Sequence, residues 1–103
     1  MLHEQVWQDT HSWASKGNKK NRARKRRMMF NFAAHAEFSG ARNSGQVGRI
    51  TVIKFWKHQR IEKKLSWATQ MNYWQAIRDL WRLWEKSGEP PRPRDPTQGT
   101  VDN

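Results

Sequence analysis

The stretch SWATQMNYWQAIRDLWRLWEKSG, residues 66–88, decides the fold. Its apolar members Tyr73, Trp74, Ile77, Leu80, Trp81 and Trp84 step by one, three, three, one and three, a continuous stripe on one face of a helix. Gln75, Arg78, Asp79, Arg82 and Glu85 take the other side. Ser66 is placed to cap the helix start, and Gly88 with Pro90 and Pro91 to stop it, so the spacing predicts a helix over 67–86. Beyond it, EPPRPRDPTQGTVDN (89–103) is Pro-rich and apolar-poor and reads as an extended tail or linker.

Upstream, Ile50, Ile53 and Trp56 recur at three-residue spacing. They predict a shorter helix over 51–60 with Ile53, Trp56 and Arg60 on one face; the β-branched run Thr51, Val52, Ile53 makes a strand the competing reading. The segment SGARNSGQVG (39–48) is a loop that supplies a glycine to end the helix before it. From 19 to 38 there is neither Gly nor Pro, Ala, Arg, Lys and Met dominate, and Met29, Phe32, Ala33 and Ala36 share a face. Asn18 is the natural cap of that helix. Residues 2–14, with Val6, Trp7 and Trp13, read as one short helix before the break at 15–18. The expectation is an all-α fold, a small four-helix bundle: 1–17 a short helix and turn, 18–88 the helical domain, 89–103 the tail.

A chain of 103 residues is one domain at most, with room for one small core. Seven Trp residues give that core its bulk. The absence of Cys excludes a disulfide scaffold, a zinc finger and a thiol enzyme. No run is long and apolar enough to span a membrane, and MLHEQVWQDTHSW lacks the order of a secretory signal, so a cytoplasmic location is expected.

The charge is the functional signal. Twenty Lys and Arg stand against nine Asp and Glu, for a net charge of +11. No acid occurs between Asp9 and Glu37, and eight of the twelve residues from 16 to 27 are basic. Such a cluster repels itself unless a polyanion lies against it, and nucleic acid is the usual polyanion. The candidates for phosphate contact are Lys19, Lys20, Arg22, Arg24, Lys25, Arg26 and Arg27, with Arg42, Lys63 and Lys64; Lys54, Lys57 and Arg60 extend the positive field into the later helices. Ser66 and Thr69 open a helix whose free N–H groups suit a phosphate, and Gln70 and Asn72 are placed to reach base edges. The bland reading is a solvated face for the cations, a plain cap for Ser66 and core packing for the Trp stripe, with Trp67 the one indole best placed outside it.

No enzyme emerges. His3, His11, His35 and His58 make no i, i+4 pair and give no metal site, no Lys-Ser/Thr follows the Gly-rich loop, and no pair of acids shares an apolar face. No cofactor is implied.

The second half also resembles a known family. Leu65, Ser66, Thr69, Asn72, Tyr73, Ile77, Leu80, Trp81, Trp84, Gly88 and the prolines from Pro90 to Pro96 are similar to the N-terminal core-binding domain of phage-type tyrosine recombinases, the SAM-like integrase domain. The basic helix and the helix carrying Val52, Ile53 and Trp56 fall in the same order, so the resemblance spans 18–96. It implies a four-helix module that forms half of a clamp on duplex DNA, with the basic helix and the Ser66, Thr69, Asn72 region on the DNA, and a nucleoid association. The family's catalytic Arg, His-x-x-Arg and Tyr nucleophile lie beyond the Pro-rich linker. The sequence to 103 holds no such set, since its only Tyr, Tyr73, belongs to the Trp helix. The expectation is a DNA-binding chain of a mobile element with no catalysis of its own, partnered by duplex DNA and by a recombinase catalytic domain or other protomers. Its rivals are an RNA-binding or ribosome-associated protein and a protein–protein adaptor that docks through the Trp helix.

Overall fold

The computed structural model describes residues 1–94 and is all-helical there. Five helices follow in order: α1 (Leu2–Asp9), α2 (His11–Ala14), α3 (Lys19–Phe38), α4 (Arg49–Lys57) and α5 (Trp67–Leu83). A 3-10 turn (Ser44–Gln46) leads into α4, and a wide turn (His58–Glu62) leads out of it. The expected helical bundle is present, with the N-terminal helix in two pieces. The break falls at Thr10, whose buried hydroxyl donates to the Val6 carbonyl at 2.7 Å. Back-bonding of this kind bends a helix.

The central helix is α3. Asn18 caps it by accepting the Asn21 N–H. Gly40, at φ 110°, ends it, with Gly40 N donating to Glu37 O and Ala41 N to Ala36 O. Met29, Phe32, Ala33 and Ala36 are all fully buried, as their spacing predicts. Helix α5 lies antiparallel to α3: Lys25 pairs with Asp79 and Asn31 with Tyr73, one number rising by six as the other falls by six. Its Trp74, Ile77, Leu80 and Trp81 fill the core.

The α1–α2 segment also runs back along α3, and its Leu2 and Val6 belong to the same core as α3 and α5. Leu2 and Val6 are fully buried. His3 bonds Glu37 and holds its carboxyl below the usual carboxylate range. Trp7 meets Phe30 edge-on, and the Arg26 guanidinium lies over the Trp7 ring at 3.6 Å while donating to Thr10 Oγ1 at 3.0 Å. Arg22 does the same one turn earlier, over Trp13 and onto its carbonyl. These interactions predict that Arg26→Ala lowers stability by about 1–2 kcal/mol in thermal unfolding, through lost stacking and hydrogen bonds. A change near zero would mean that α1 is held by Leu2 and Val6 alone.

Two details of the sequence reading are corrected. In α4 the buried face is Val52, Phe55 and Trp56, with Ile50 and Ile53 exposed. The large rings of Phe55 and Trp56 set the register, and the three-residue pattern pointed one face away. Helix α5 ends at Leu83, one turn early, with Glu85 as well as Gly88 in the left-handed conformation, at φ 57° and 69°. The early stop turns the chain back. Trp74 Nε1 donates to Pro90 O at 3.0 Å and Trp56 Nε1 to Pro91 O at 2.8 Å, and Pro90 and Pro93 are buried. The first part of the Pro-rich tail is thus a strap across α5 and α4 rather than a free linker; residues 95–103 lie outside the described residues. Because a left-handed Glu carries roughly 1 kcal/mol of strain, Glu85→Gly is expected to raise the unfolding midpoint, and a lowered midpoint would contradict this account of the cap.

Candidate nucleic-acid interface

The seven cations between 19 and 27 divide into two sets. Lys19, Lys20, Arg24 and Arg27 are exposed, whereas Arg22, Lys25 and Arg26 are partly buried. The second set lies on the continuation of the apolar face, one and two turns before Met29, and the fold uses it. Arg22 and Arg26 anchor α2 and α1, and Lys25 makes an ion pair with Asp79 at 2.9 Å, both side chains mostly covered. These three side chains are engaged within the fold, whereas the other four stand on its surface.

The exposed set belongs to a stripe. Lys20, Arg24, Arg27, Asn31, Ala34 and Phe38 follow at steps of four, three, four, three and four, all on the outer side of α3. Asn31 Nδ2 donates to Tyr73 Oη at 3.1 Å, which joins the stripe to α5. On α5, Asn72, Gln75 and Arg82 are exposed. The acid on this side, Asp79, is neutralised by Lys25 and flanked by Arg82 at 4.0 Å. The result, among the described residues, is an exposed stripe on α3 that is positive at its N-terminal end and carries the Asn31 amide at its middle, where Tyr73 joins it to α5.

The remaining predicted residues sit elsewhere. Antiparallel packing puts the start of α5 beside the C-terminal end of α3, so Ser66, Lys63 and Lys64 stand about 27 Å from Lys20 by helical rise. The two surfaces joined in the sequence reading are opposite ends of one seam. Ser66 caps α5 by accepting the Thr69 N–H at 3.2 Å and donates to Thr69 Oγ1, so both side chains serve the cap. Gln70 is buried, and its Nε2 donates to Leu65 O at 3.0 Å; it braces the turn and is not placed to read a base. Lys63 and Lys64 are exposed, Lys64 in the left-handed region at φ 52°. Arg42 is exposed in the α3–α4 loop, its backbone N–H bound to Gln46 Oε1.

Sequence reasoning did not count Asn31 among the site residues, although the period of the exposed face of α3 includes it, and it placed Gln75 and Arg82 on the outer side of α5 without giving them a role. A second positive cluster gathers part of the field that the sequence reading extended through Lys57 and Arg60. There, Arg49 and Lys57 of α4 and Arg92 of the strap surround Ile53, Trp56 and Pro91.

Between the C-terminal half of α3, the wide turn and the start of α5 lies an open groove of about 730 Å³. His35 and His58 pack there with centroids 4.6 Å apart and ring planes tilted by 37°, and His58 Nδ1 bonds Glu62 at 2.7 Å. Burial, and then the His58 charge, hold the His35 imidazole below its ordinary value against a smaller opposing pull from Glu62. An unfolded His35 takes up its proton near pH 6.5, before the folded one, so stability is full above about that pH and declines as pH falls through the folded value. The unfolding midpoint is expected to drop on acidification from neutrality, and His35→Phe to flatten that part of the profile. An identical profile in the variant would contradict this assignment. Among the described residues, no three His, Cys, Asp or Glu side chains gather to hold a metal.

No family model matches this chain, and neither curated proteins nor solved structures provide a match. Among the described residues, no helix is long and apolar enough to cross a membrane.

Proposed function

We propose that the chain is a DNA-binding module that grips duplex DNA through phosphates. It would act in integration or recombination of a mobile element and associate with the nucleoid. The observation that supports this most directly is the division of the α3 cations. The fold consumes Arg22, Lys25 and Arg26, yet leaves Lys19, Lys20, Arg24 and Arg27 exposed together on one helix. Exposed cations on one rigid helix are set for a repeating line of phosphates. The amide of Asn31 continues that side, and those of Asn72 and Gln75 are exposed on α5; such groups can face bases or sugars.

The resemblance to the integrase core-binding domain points the same way and is the source of the recombination role; the chain contributes DNA binding and no chemistry. The adaptor reading loses its docking stripe, because Trp74 and Trp81 are in the core. The test is anisotropy binding to a random duplex at several salt concentrations, with structured RNA as competitor. Neutralising four or five phosphates predicts a log–log salt slope of roughly −4. A flat salt response would refute the phosphate grip, and preferential displacement by RNA would move the function to the RNA-binding class.

A further inference from the structure

Between α4 and the strap lies a groove of about 340 Å³, lined by Arg49, Ile53, Trp56, Lys57, Pro91 and Arg92. Among the described residues that line it, none is acidic. Arg49, Lys57 and Arg92 are exposed and make no ion pair among the described residues. Arg60 and Arg94 add to the lining and are already partnered, so the site is built here from the other three. The strap wall is fixed in advance: Trp56 Nε1 donates to Pro91 O at 2.8 Å, and the Arg92 guanidinium lies over the Trp74 ring at 4.4 Å. A partner meeting such a wall does not have to order it.

The floor between these cations is apolar. Ile53 is 42% exposed, with Trp56 and Pro91 beside it. Arg49, Ile53 and Lys57 follow at steps of four on one face of α4. Phe55, whose ring meets Phe32 of α3, is two residues on from Ile53 and points to nearly the opposite side of the helix. The groove therefore looks away from α3, and no residue of α3 lines it. Cations around an apolar floor suit a ligand that carries both characters. A duplex brings phosphates but keeps its bases stacked inside, which leaves nothing to cover Ile53; an acidic peptide with a bulky apolar side chain brings both.

We infer that this groove docks an extended acidic segment of another protein, with an aliphatic or aromatic residue over Ile53 and a carboxylate two residues to either side of it. Spacing selects that pattern. Arg49 and Lys57 stand about 12 Å apart by helical rise, with Ile53 midway. In an extended chain the residues two before and two after a given position point the same way as it does, and they lie about 13 Å apart. One carboxylate then meets Arg49, the other Lys57, and the apolar side chain between them enters the floor, with Arg92 across the groove as a third positive charge. A second copy of this chain does not supply the pattern, because its only two acids four residues apart, Glu85 and Glu89, flank Ser87. Docking there is independent of duplex binding, which uses α3.

The test is fluorescence anisotropy on the full chain at near-physiological salt, with a labelled peptide Gly-Ser-Asp-Ser-Leu-Ser-Asp-Ser-Gly. Saturable binding is expected. Exchanging the peptide's Leu for Ser, at unchanged charge, should weaken it about ten-fold, the loss of one buried apolar side chain. Exchanging both Asp for Asn should weaken it at least as much. On the protein, Ile53→Asp and Arg49→Glu should each cost about ten-fold or more by setting a carboxylate against the peptide's own. Both positions are exposed, and Arg49 opens a helix, where an acid is favoured, so helical circular dichroism should be unchanged. Lys20→Glu, on α3, should leave the peptide bound as before. Equal binding of the Leu and Ser peptides would overturn the inference by reducing the site to charge alone. So would binding that survives both Ile53→Asp and Arg49→Glu. Random duplex added to the variant carrying Lys20→Ala, Arg24→Ala and Arg27→Ala should leave the peptide in place, and displacement there would give the groove to nucleic acid instead.

Discussion

Replacing Lys20, Arg24 and Arg27 together with Ala is expected to weaken duplex binding by roughly 100-fold or more at low salt. The salt slope should flatten by about 0.9 for each phosphate that is no longer neutralised. All three side chains are exposed on α3, and Ala is the best helix former, so helical circular dichroism should be unchanged or slightly stronger. The matched control is Arg22→Ala with Arg26→Ala. That pair removes almost as much charge from the same helix, yet it strips the Trp13 and Trp7 stacking and loosens α1 and α2. It should lower stability and, at a temperature where the chain is folded, weaken binding far less than the triple change. Equal loss of binding from both sets would mean that net charge alone matters and that the stripe has no special place.

The largest loss of stability is expected from Trp74→Ala. Trp74 is 3% exposed, its indole N–H holds Pro90 O, and both Arg78 and Arg92 lie over its ring. Truncating a buried Trp costs about 3–5 kcal/mol, and a domain of this size holds only about 5–15 kcal/mol in all. The unfolding midpoint should fall by roughly 20 °C. Trp74→Phe, which keeps most of the packing and loses the donor, should cost about 1 kcal/mol. Trp67→Ala, at an exposed site, should change stability by less than about 0.5 kcal/mol. Thermal unfolding of the three variants in that order checks the core assignment, and a Trp67 effect as large as that of Trp74 would contradict it.

The long helices were legible because their apolar periods are strong. Asn18, Met29, Phe32, Ala33, Ala36 and Gly40 take the roles that their spacing and chemistry predict. The short elements were not. Ile50 and Ile53 repeat as neatly as Phe55 and Trp56, and only packing against α3 decides which pair goes inside. The strap was hidden for a different reason: Pro90 and Pro91 are held through their carbonyls by two indole N–H groups from distant helices, and a carbonyl leaves no mark on a sequence.

The division of the basic cluster was half visible. Running the period of Met29 and Phe32 backward lands on Arg26, Lys25 and Arg22, the three cations that the fold uses. Their charge masked a helical phase that apolar residues would have made plain. The partners that explain them, Trp7, Trp13 and Asp79, lie in other helices. Gln70 was misplaced by the same kind of blindness: a polar residue near a helix start looks available until its burial against Leu65 is known.

The most direct test of the account is an NMR titration of the full chain with a short duplex, reading both backbone amides and guanidinium signals. The predicted result is a shift map along Lys19, Lys20, Arg24, Arg27, Asn31 and Asn72, with the Arg22 and Arg26 guanidinium signals keeping their positions. A map centred instead on Arg49, Lys57 and Arg92, or one in which Arg22 and Arg26 move most, would contradict it.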